Sequence, residues 1–278
     1  MPTFSTILQI ITTVAVFYLI LVGAMYVFQR NFLYHPENFT PSPKQSGVSE
    51  MQEIHIQTED GLSLLSWAKA PRDANKPWIV IFHGNAGTLG SRGFKARAFL
   101  DAGYGVMLAE YRGYSGNKGQ PSEAGFMMDA RAALAYVADQ GGTGAKLVLY
   151  GESIGTGVAV TMAVEAAGQG QAVASVILEA PFTTAADAGA SHYPFIPVRS
   201  LMKDRFDSLS KIQSINAPLF LVHGTHDWVV PFALGQKLFA QALEPKQSLW
   251  VENGGHSDLF VPDVTKAMIA FLEKSTAQ

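Results

Sequence analysis

The chain contains no cysteine among its 278 residues. Disulfide bonds, a thiolate nucleophile and metal sites built on cysteine ligands are therefore all excluded. The absence is compatible with a reducing or an oxidising compartment, so it does not locate the protein.

Charge is also scarce. Charged residues make up 15% of the chain, the formal net charge is −3, and no dense block of Lys or Arg occurs. These features exclude a typical nucleic-acid surface, and we expect no nucleic-acid partner. Apolar residues make up 48%, which is enough for one domain of roughly 230–250 residues and an appendage.

The appendage is an N-terminal segment without charge, from Ile7 to Phe28. As a helix it would extend about 33 Å, enough to cross a bilayer core. A cleaved signal peptide, ending near Val22–Ala24, and a buried core helix are the alternatives. No Lys or Arg precedes Arg30, unlike the start of a signal peptide. We predict a single-pass membrane anchor over 1–30, then a juxtamembrane linker over 31–50, with the side of the membrane undetermined.

Strand and helix signals alternate from residue 51 onward. A turn at Glu59–Gly61 predicts a hairpin, and apolar runs such as Trp78–Phe82, Lys146–Tyr150 and Leu219–Val222 are typical of buried strands. Segments with helical periodicity lie between the runs. This pattern predicts an α/β domain over 51–278, with a mostly parallel eight-stranded sheet flanked by helices.

The segment from 182 to 216 interrupts this alternation. It has no clear strand, it follows the predicted strand Val173–Leu178, and it carries the apolar stretch Tyr193–Met202. A long connection at a strand end is more typical of a functional lid than of an ordinary loop. We therefore predict a short lid over 182–216.

One pentapeptide, Gly151-Glu-Ser-Ile-Gly155, matches the pattern G-x-S-x-G. It follows the predicted strand Lys146–Tyr150 and opens the helical segment Ser153–Ala167. This strand–turn–helix context lifts a serine hydroxyl above the sheet edge as a nucleophile. A serine between glycines is also common in ordinary turns, so the rest of the chain has to support this interpretation.

A serine nucleophile needs a base, and the base needs an orienting carboxylate. In enzymes with this serine turn the chain order is Ser, Asp or Glu, then His. Asp227 follows the strand Leu219–Val222, and His256 follows the strand Ser248–Val251. Since the carboxyl ends of parallel strands share one sheet edge, both side chains should meet Ser153 there. We predict Ser153 as nucleophile, His256 as base and Asp227 as the orienting acid.

Other carboxylates compete with Asp227, whose own alternative role is a helix cap before Pro231. Glu252 and Asp258 are so close to His256 in sequence that cap or surface positions suit them better. Three further candidates lie in the predicted lid: Asp187, Asp204 and Asp207.

Stabilising a developing oxyanion requires two N–H donors. One is expected from Ile154, the residue after the nucleophile. The other is expected from the glycine-containing loop His83–Gly87, which follows the strand Trp78–Phe82. Asn85 is the first choice in this loop and Ala86 the second.

No metal or cofactor is predicted. His83 lacks partner ligands at a suitable spacing. The loop around it also lacks the Lys-Ser/Thr of a phosphate-binding loop, and no G-x-G-x-x-G joins a strand to a helix.

Taken together, these motifs resemble the α/β-hydrolase superfamily, and more narrowly its membrane-anchored serine-hydrolase branch, whose eukaryotic members include protein depalmitoylases. The residues that carry the resemblance are His83–Gly87, Tyr111–Tyr114, Gly151–Gly155, the Asp227 and His256 loops, and Phe32–Pro36 after the anchor. The resemblance implies an α/β-hydrolase fold and a Ser-His-Asp mechanism. Within Tyr111–Tyr114 we expect Arg112 to organise a turn at a strand end rather than to bind substrate.

The expected function is that of a serine hydrolase that cleaves an acyl ester or thioester through an acyl-enzyme. The lid and the bilayer favour a lipid-like or small-molecule acyl substrate, or an S-acylated protein. A serine peptidase or amidase of the same fold and a non-catalytic membrane-tethered scaffold are the alternatives, because a fold alone does not define a substrate.

Overall fold

The computed structural model describes residues 2–276, and an eight-stranded sheet forms its centre. The strands are β1 (Gln52–Gln57), β2 (Ser63–Lys69), β3 (Trp78–Phe82), β4 (Gly105–Ala109), β5 (Leu147–Glu152), β6 (Ser175–Glu179), β7 (Leu219–Gly224) and β8 (Lys246–Val251). Their order across the sheet is β8-β7-β6-β5-β3-β4-β2-β1. Strand β2 is antiparallel to both of its neighbours, and the other pairs are parallel. The predicted mostly parallel eight-stranded sheet is confirmed.

Within residues 2–276, five of the α-helices cover the two faces of this sheet, whereas the first extends beyond the domain and two short ones lie at the sheet edge. In chain order, the α-helices are α1 (Phe4–Leu33), α2 (Gly93–Asp101), α3 (Glu123–Asp139), α4 (Ile154–Gly168), α5 (Ala185–His192), α6 (Val198–Leu201), α7 (Phe232–Gln241) and α8 (Pro262–Ser275). The last helix begins at Pro262, and proline suits the first turn of a helix.

Two hydrophobic cores result from the alternation of side chains along the buried strands. In β3 all five residues are buried; Val80 and Phe82 face the core beneath α3 and α4, whereas Ile79 and Ile81 face the core beneath α2 and α8. A strand that is covered on both faces needs apolar residues at every position. The continuous apolar runs in the sequence are explained by this double coverage.

Helix α1 is exposed along most of its length. It is long and apolar enough to cross a membrane, and none of its most hydrophobic window is buried in the protein. Large exposed side chains such as Phe17 and Leu19 would be unfavourable in water. By length and composition, α1 is therefore suited to a membrane.

The chain between α1 and β1 packs on the domain. Tyr34 and Val48 are buried, and His35–Pro36 forms a short parallel pairing with Ala86–Gly87. The N–H of His35 donates to the carbonyl of Asn85 at 2.9 Å. The end of α1 is thus held beside the loop that follows β3.

The segment 182–216 contains the helices α5 and α6 and a short 3-10 turn at Ile212–Ser214. Both α-helices lie on the same side of the sheet edge as Ser153, and α5 and α6 contact each other. The segment also contacts α1, since the hydroxyl of Tyr18 donates to the carbonyl of Phe195 at 2.8 Å.

Arg112 organises the turn after β4, as predicted. Its guanidinium donates to Asp129 at 2.7 and 2.9 Å and to Asp60 at 2.7 and 3.1 Å, and its own N–H donates to Asp129 at 2.8 Å. Arg112 and Asp129 are buried. These bonds join the β1–β2 hairpin, the end of β4 and α3, and they confirm the structural role of Arg112.

Replacing this arginine should therefore destabilise the fold strongly. Arg112→Ala leaves the buried Asp129 carboxylate without its counter-charge, and we expect a loss of about 3–5 kcal/mol in the free energy of unfolding. The matched control is Arg131→Ala, because Arg131 pairs with Glu165 at 2.8 Å but is 44% exposed. Arg131→Ala should lower the free energy of unfolding by no more than about 1 kcal/mol. Urea unfolding of the detergent-solubilised protein measures both, and equal losses would contradict the prediction.

Candidate active site

Ser153 lies on the tight turn between β5 and α4. Its backbone has φ 51° and ψ −117°, and its N–H donates to the carbonyl of Glu179 at 2.8 Å. A positive φ is strained for a residue other than glycine, and such strain concentrates at functional sites. The turn directs the Ser153 side chain into a cavity above the sheet edge.

Two glycines make this turn possible. A Cβ on Gly155 would overlap the carbonyl oxygen of Phe82, and one on Gly151 would overlap the backbone at Gly155. The first turn of α4 therefore packs directly on the end of β3. The spacing of the glycines around Ser153 reflects a steric requirement as well as a motif.

The three residues predicted to act together are hydrogen-bonded to one another. His256 Nε2 lies 3.0 Å from Ser153 Oγ, and His256 Nδ1 lies 2.8 Å from Asp227 Oδ2. An ionised carboxylate only accepts hydrogen bonds, so Nδ1 carries the hydrogen and Nε2 accepts from the serine hydroxyl. The ends of β5, β7 and β8 thus bring together residues that are more than 25 positions apart in the chain.

Asp227 is surrounded by donors. Its Oδ1 accepts from the N–H groups of Val229 and Val230, both at 2.8 Å, and its Oδ2 lies 3.2 Å from Nε2 of the buried His223. Burial alone would raise the pKa of Asp227, but the hydrogen bonds with His223 and His256 outweigh it. The pKa of Asp227 is therefore well below its usual value.

The contact of His223 with the Asp227 carboxylate is a feature that the sequence did not reveal. Its position was the available signal, because it is the penultimate residue of β7, four residues before Asp227. Its Nε2 also lies 3.0 Å from the carbonyl of Val230. His223 thus fixes both the carboxylate and the loop that carries it.

Four of the five competing carboxylates have other partners. Asp258 accepts from the N–H of Gly255 at 2.7 Å and closes the loop before His256. Asp187 pairs with Arg199, Asp204 pairs with Arg30, and Asp207 accepts from the N–H of Ser210. Asp227 is the carboxylate that the structure places on the imidazole of His256.

The two predicted oxyanion donors, Asn85 and Ile154, both line the cavity at Ser153. Ile154 is the first residue of α4, so its N–H has no acceptor within the helix. The Asn85 side chain donates to the carbonyl of Leu33 at 2.9 Å, and its own carbonyl accepts from the hydroxyl of Tyr114 at 2.9 Å. Those bonds hold the loop and leave the backbone N–H of Asn85 for other interactions.

The loop that carries Asn85 rests on a buried carboxylate, Glu110, which the sequence analysis missed. Glu110 contacts Nε2 of His83 and the hydroxyl of Ser115, and it accepts from the N–H of Leu89 at 3.0 Å. A glutamate directly after the apolar strand β4 was the available signal. His83 therefore has a structural partner, and residues 2–276 contain no group of three or more side chains suited to a metal ion.

A cluster of buried charges lies behind the serine turn. The ammonium of Lys95 is 2.7 Å from both Glu152 and Glu179, and Arg92 donates to Glu152 at 2.7 Å. Burial alone would lower the pKa of Lys95, but the two carboxylates raise it above its usual value. Glu152 precedes Ser153, and the Glu179 carbonyl binds the Ser153 N–H. The cluster thus fixes both sides of the strained turn.

The cavity has a volume of about 480 Å³ and reaches from Ser153 to α1. Its walls come from α1, from α5 and α6, and from the loops after β3 and β7. The residues along α1 are Val22, Met25, Tyr26, Gln29, Phe32 and Leu33. The lid side is mainly apolar, with Ile196, Val198, Leu201 and Met202 among its residues. The cavity therefore suits an apolar chain attached to a group that Ser153 can reach.

The steric requirement for glycine can be tested within α4 itself. Gly155→Ala should destabilise the turn, lower the yield of folded protein and abolish reactivity of Ser153, because the new Cβ overlaps Phe82. Gly168→Ala, at the other end of the helix, has no neighbouring atom within 4 Å and should be neutral or stabilising by up to about 1 kcal/mol. Thermal unfolding measures both variants. Similar stabilities would show that the turn can relax.

The lowered pKa of Asp227 predicts a pH dependence of stability. Its carboxylate stabilises the native state above its unfolded pKa of about 3.9, and this contribution is lost as the pH falls through the lower native value. The difference in unfolding free energy between wild type and Asp227→Asn should shrink as the pH falls below 4. Urea unfolding at each pH measures it. A difference that stays constant down to pH 3 would contradict the lowered pKa.

Similarity to known proteins is extensive. Residues 73–209 match the family model described as Hydrolase_4, serine aminopeptidase S33; the match contains Ser153 and ends before Asp227. The chain is 36% identical over 233 residues to the uncharacterized protein Rv2307c of Mycobacterium tuberculosis, covering 83% of this chain and 81% of that protein. It is 29% identical over 253 residues to the lysophosphatidylserine lipase ABHD12 of Danio rerio, covering 79% of this chain and 65% of that protein.

Solved structures share the fold. The esterase Pf2001 of Pyrococcus furiosus superposes with a TM-score of 0.69 at 17% identity, over 88% of this chain and 98% of that chain. The strand order, the serine turn and the sequence relatives agree with this likeness. The chain belongs to the α/β-hydrolase superfamily.

Proposed function

We propose that the protein is a membrane-anchored serine hydrolase that cleaves acyl esters through a Ser153–His256–Asp227 triad. The observation that carries the proposal is the continuous hydrogen-bond chain from Asp227 through His256 to Ser153, at 2.8 and 3.0 Å, which ends in an apolar cavity. An activated hydroxyl beside an apolar cavity suits an acyl group with a hydrocarbon chain.

In the proposed reaction, Ser153 Oγ attacks the acyl carbonyl carbon while His256 Nε2 takes the hydroxyl proton. The imidazolium then forms beside Asp227, whose lowered pKa keeps it ionised and able to stabilise that charge. The tetrahedral intermediate collapses, and His256 passes the proton to the departing alcohol. A water molecule, deprotonated by His256, attacks the acyl-enzyme, and His256 then returns the proton to Ser153 Oγ as the carboxylic acid leaves.

The backbone N–H groups of Ile154 and Asn85 are proposed to bind the oxyanion of both tetrahedral intermediates. The position of Ile154 at the start of α4 supports this role, because the positive end of the helix dipole adds to its N–H. The bonds from Asn85 to Leu33 and Tyr114 keep the second donor in place without reorganisation. Removal of one such donor typically costs about 2.7–4 kcal/mol of barrier stabilisation.

Helix α1 is proposed to anchor the protein as a single membrane span. Its length and composition support this role, and so does its place in the structure. Arg30 near its end forms a double hydrogen bond with the buried Asp204, and its last residues line the cavity. These contacts favour a retained anchor over a cleaved signal peptide.

A lipid-like ester is the proposed substrate class. The name of the zebrafish relative, a lysophosphatidylserine lipase, and that of the Pyrococcus structure, an esterase, support an acyl ester. Neither name points to an S-acylated protein, so that substrate stays a prediction. A non-catalytic scaffold would not explain the strained backbone of Ser153 or the hydrogen bond between Ser153 and His256.

An aminopeptidase is the second candidate, because the matching family model carries that name. A free α-amino group is a cation and needs a carboxylate near the site. The described residues that line the cavity include no Asp or Glu, and the triad acid lies behind His256. The lining therefore favours an uncharged acyl group over a peptide N-terminus.

The triad is tested by Ser153→Ala. The variant should lose reaction with a fluorophosphonate probe and reduce kcat for p-nitrophenyl esters by about 10⁴-fold or more. The matched control is Ser210→Ala, an exposed serine that does not line the cavity and should retain both activities. Parallel assays with acyl thioesters and aminoacyl amides separate the substrate classes. Ester hydrolysis by Ser153→Ala at the wild-type rate would refute the mechanism.

A further inference from the structure

One face of α1 contributes to the wall of the cavity. Val22, Met25, Tyr26 and Gln29 are spaced by three or four residues, so they lie along a single stripe of the helix. Within this stripe Val22, Met25 and Gln29 are half-buried, whereas Val27 on another face is 65% exposed. The anchor is therefore oriented, with one defined face toward the cavity.

Hydrogen bonds at several positions along α1 fix this orientation. Near the end of α1, Arg30 donates to both oxygens of Asp204 at 2.8 and 3.1 Å. One residue earlier, the side-chain oxygen of Gln29 accepts from the N–H of Lys203 at 2.7 Å. Farther along, Tyr18 donates to the carbonyl of Phe195 at 2.8 Å. Because these bonds span more than ten residues of the helix, neither rotation nor sliding is possible without breaking them.

The wall also extends into the part of α1 that is suited to hydrocarbon. The charge-free segment ends at Phe28. At a rise of 1.5 Å per residue, Val22 lies about 9 Å along the helix from Phe28, and Tyr18 lies about 15 Å from it. The loop between α5 and α6 meets the helix at Tyr18, and its Phe195 is 86% exposed. When α1 crosses a bilayer, this loop and the far end of the cavity lie at the depth of the acyl chains.

The opposite end of the cavity lies at the serine. Leu33 contacts Asn85, and a Cβ on Gly84 would lie 3.5 Å from the Cβ of Ser153, so the end of α1 is beside the reacting group. From Leu33 back to Val22 the helix rises by about 16 Å. The described lining of this stretch has apolar and neutral polar side chains and no Lys or Arg. A neutral chain, and not a charged headgroup, fits along it.

We propose that α1 is a substrate-binding element as well as an anchor. Its Val22–Gln29 face binds the acyl chain of a bilayer lipid ester, which enters sideways from the leaflet between α1 and the α5–α6 loop. The chain end lies near Val22, and the ester carbonyl lies at Ser153. This inference rests on the proposed function and adds to it the part of the molecule that selects chain length.

The first test is a pair of matched substitutions in the full-length protein reconstituted in lipid nanodiscs. Val22→Trp narrows the far end of the cavity, whereas Val27→Trp adds the same side chain on an outward face. The substrates are p-nitrophenyl esters from acetate to palmitate. Val22→Trp should lower the ratio of kcat/KM for the longest ester to kcat/KM for acetate about tenfold or more, because the acetyl group does not reach α1. Val27→Trp should match wild type.

A second variant protects this test against misfolding. Met25→Ala enlarges the cavity at the same wall and should move the chain-length optimum toward longer esters. An unchanged chain-length profile in both Val22→Trp and Met25→Ala would overturn the inference while Ser153-dependent hydrolysis remained intact. Failure of the proposed function has a different signature, since the fluorophosphonate probe would then react equally with wild type and Ser153→Ala.

The bilayer as the source of substrate is tested at the α5–α6 loop. Phe195→Asp places a charge where hydrocarbon is expected, and it should reduce hydrolysis of a long-chain ester embedded in nanodiscs about tenfold or more, with acetate hydrolysis unchanged. The control is Leu243→Asp, which is 58% exposed beyond the end of α7 and should match wild type. Equal rates for all three proteins on the embedded ester would show that substrate reaches the cavity from water and would overturn the sideways entry.

Discussion

The close contact between the first turn of α4 and the end of β3 is the constraint on which the site depends. With no side chain at Gly155, the helix backbone approaches the carbonyl of Phe82, and this approach forces Ser153 into its positive φ. The serine hydroxyl then points away from the sheet toward His256. A looser packing would relax the turn and withdraw the hydroxyl from the imidazole, so the chemistry depends on a backbone-to-backbone distance.

Buried charge maintains this strained geometry. Lys95 binds Glu152 just before the serine and Glu179 on the neighbouring strand, while Glu110 supports the loop of Asn85 from the other side. Buried ion pairs contribute little net stability compared with apolar packing, but they are directional and costly to break. In this protein they surround the serine turn, where a defined orientation matters more than added stability.

The sequence was sufficient to predict the fold and to identify candidate residues for the site. Apolar runs identified the strands because both sheet faces are covered, and chain order linked Ser153, Asp227 and His256 to one sheet edge. The residues that support the predicted site could not be identified from the sequence. His223 and Glu110 support the site through tertiary contacts that leave no local sequence pattern. In the sequence each is an isolated polar residue at a strand end.

The role of α1 was the least accessible from sequence. A charge-free segment indicates a membrane span by composition, and every apolar residue in it contributes to that signal alike. Which face of the helix meets the domain depends on Arg30, Gln29 and Tyr18, whose partners lie more than 170 residues away. The interval from 31 to 50, predicted as a linker, contains the short pairing at His35–Pro36, which appears only when the loop after β3 is folded.

The continuity of α1 with the domain fixes the height of Ser153 above any membrane that α1 crosses. The helix runs unbroken from Phe4 to Leu33, and the next residues are bonded at once to the loop beside Ser153. Such a rigid connection allows little rotation of the domain relative to α1. In a protein anchored in this way, Ser153 would stay at a nearly constant distance from one membrane surface. Its encounter with a lipid then becomes a search in two dimensions, governed by lateral diffusion and surface density rather than by bulk concentration.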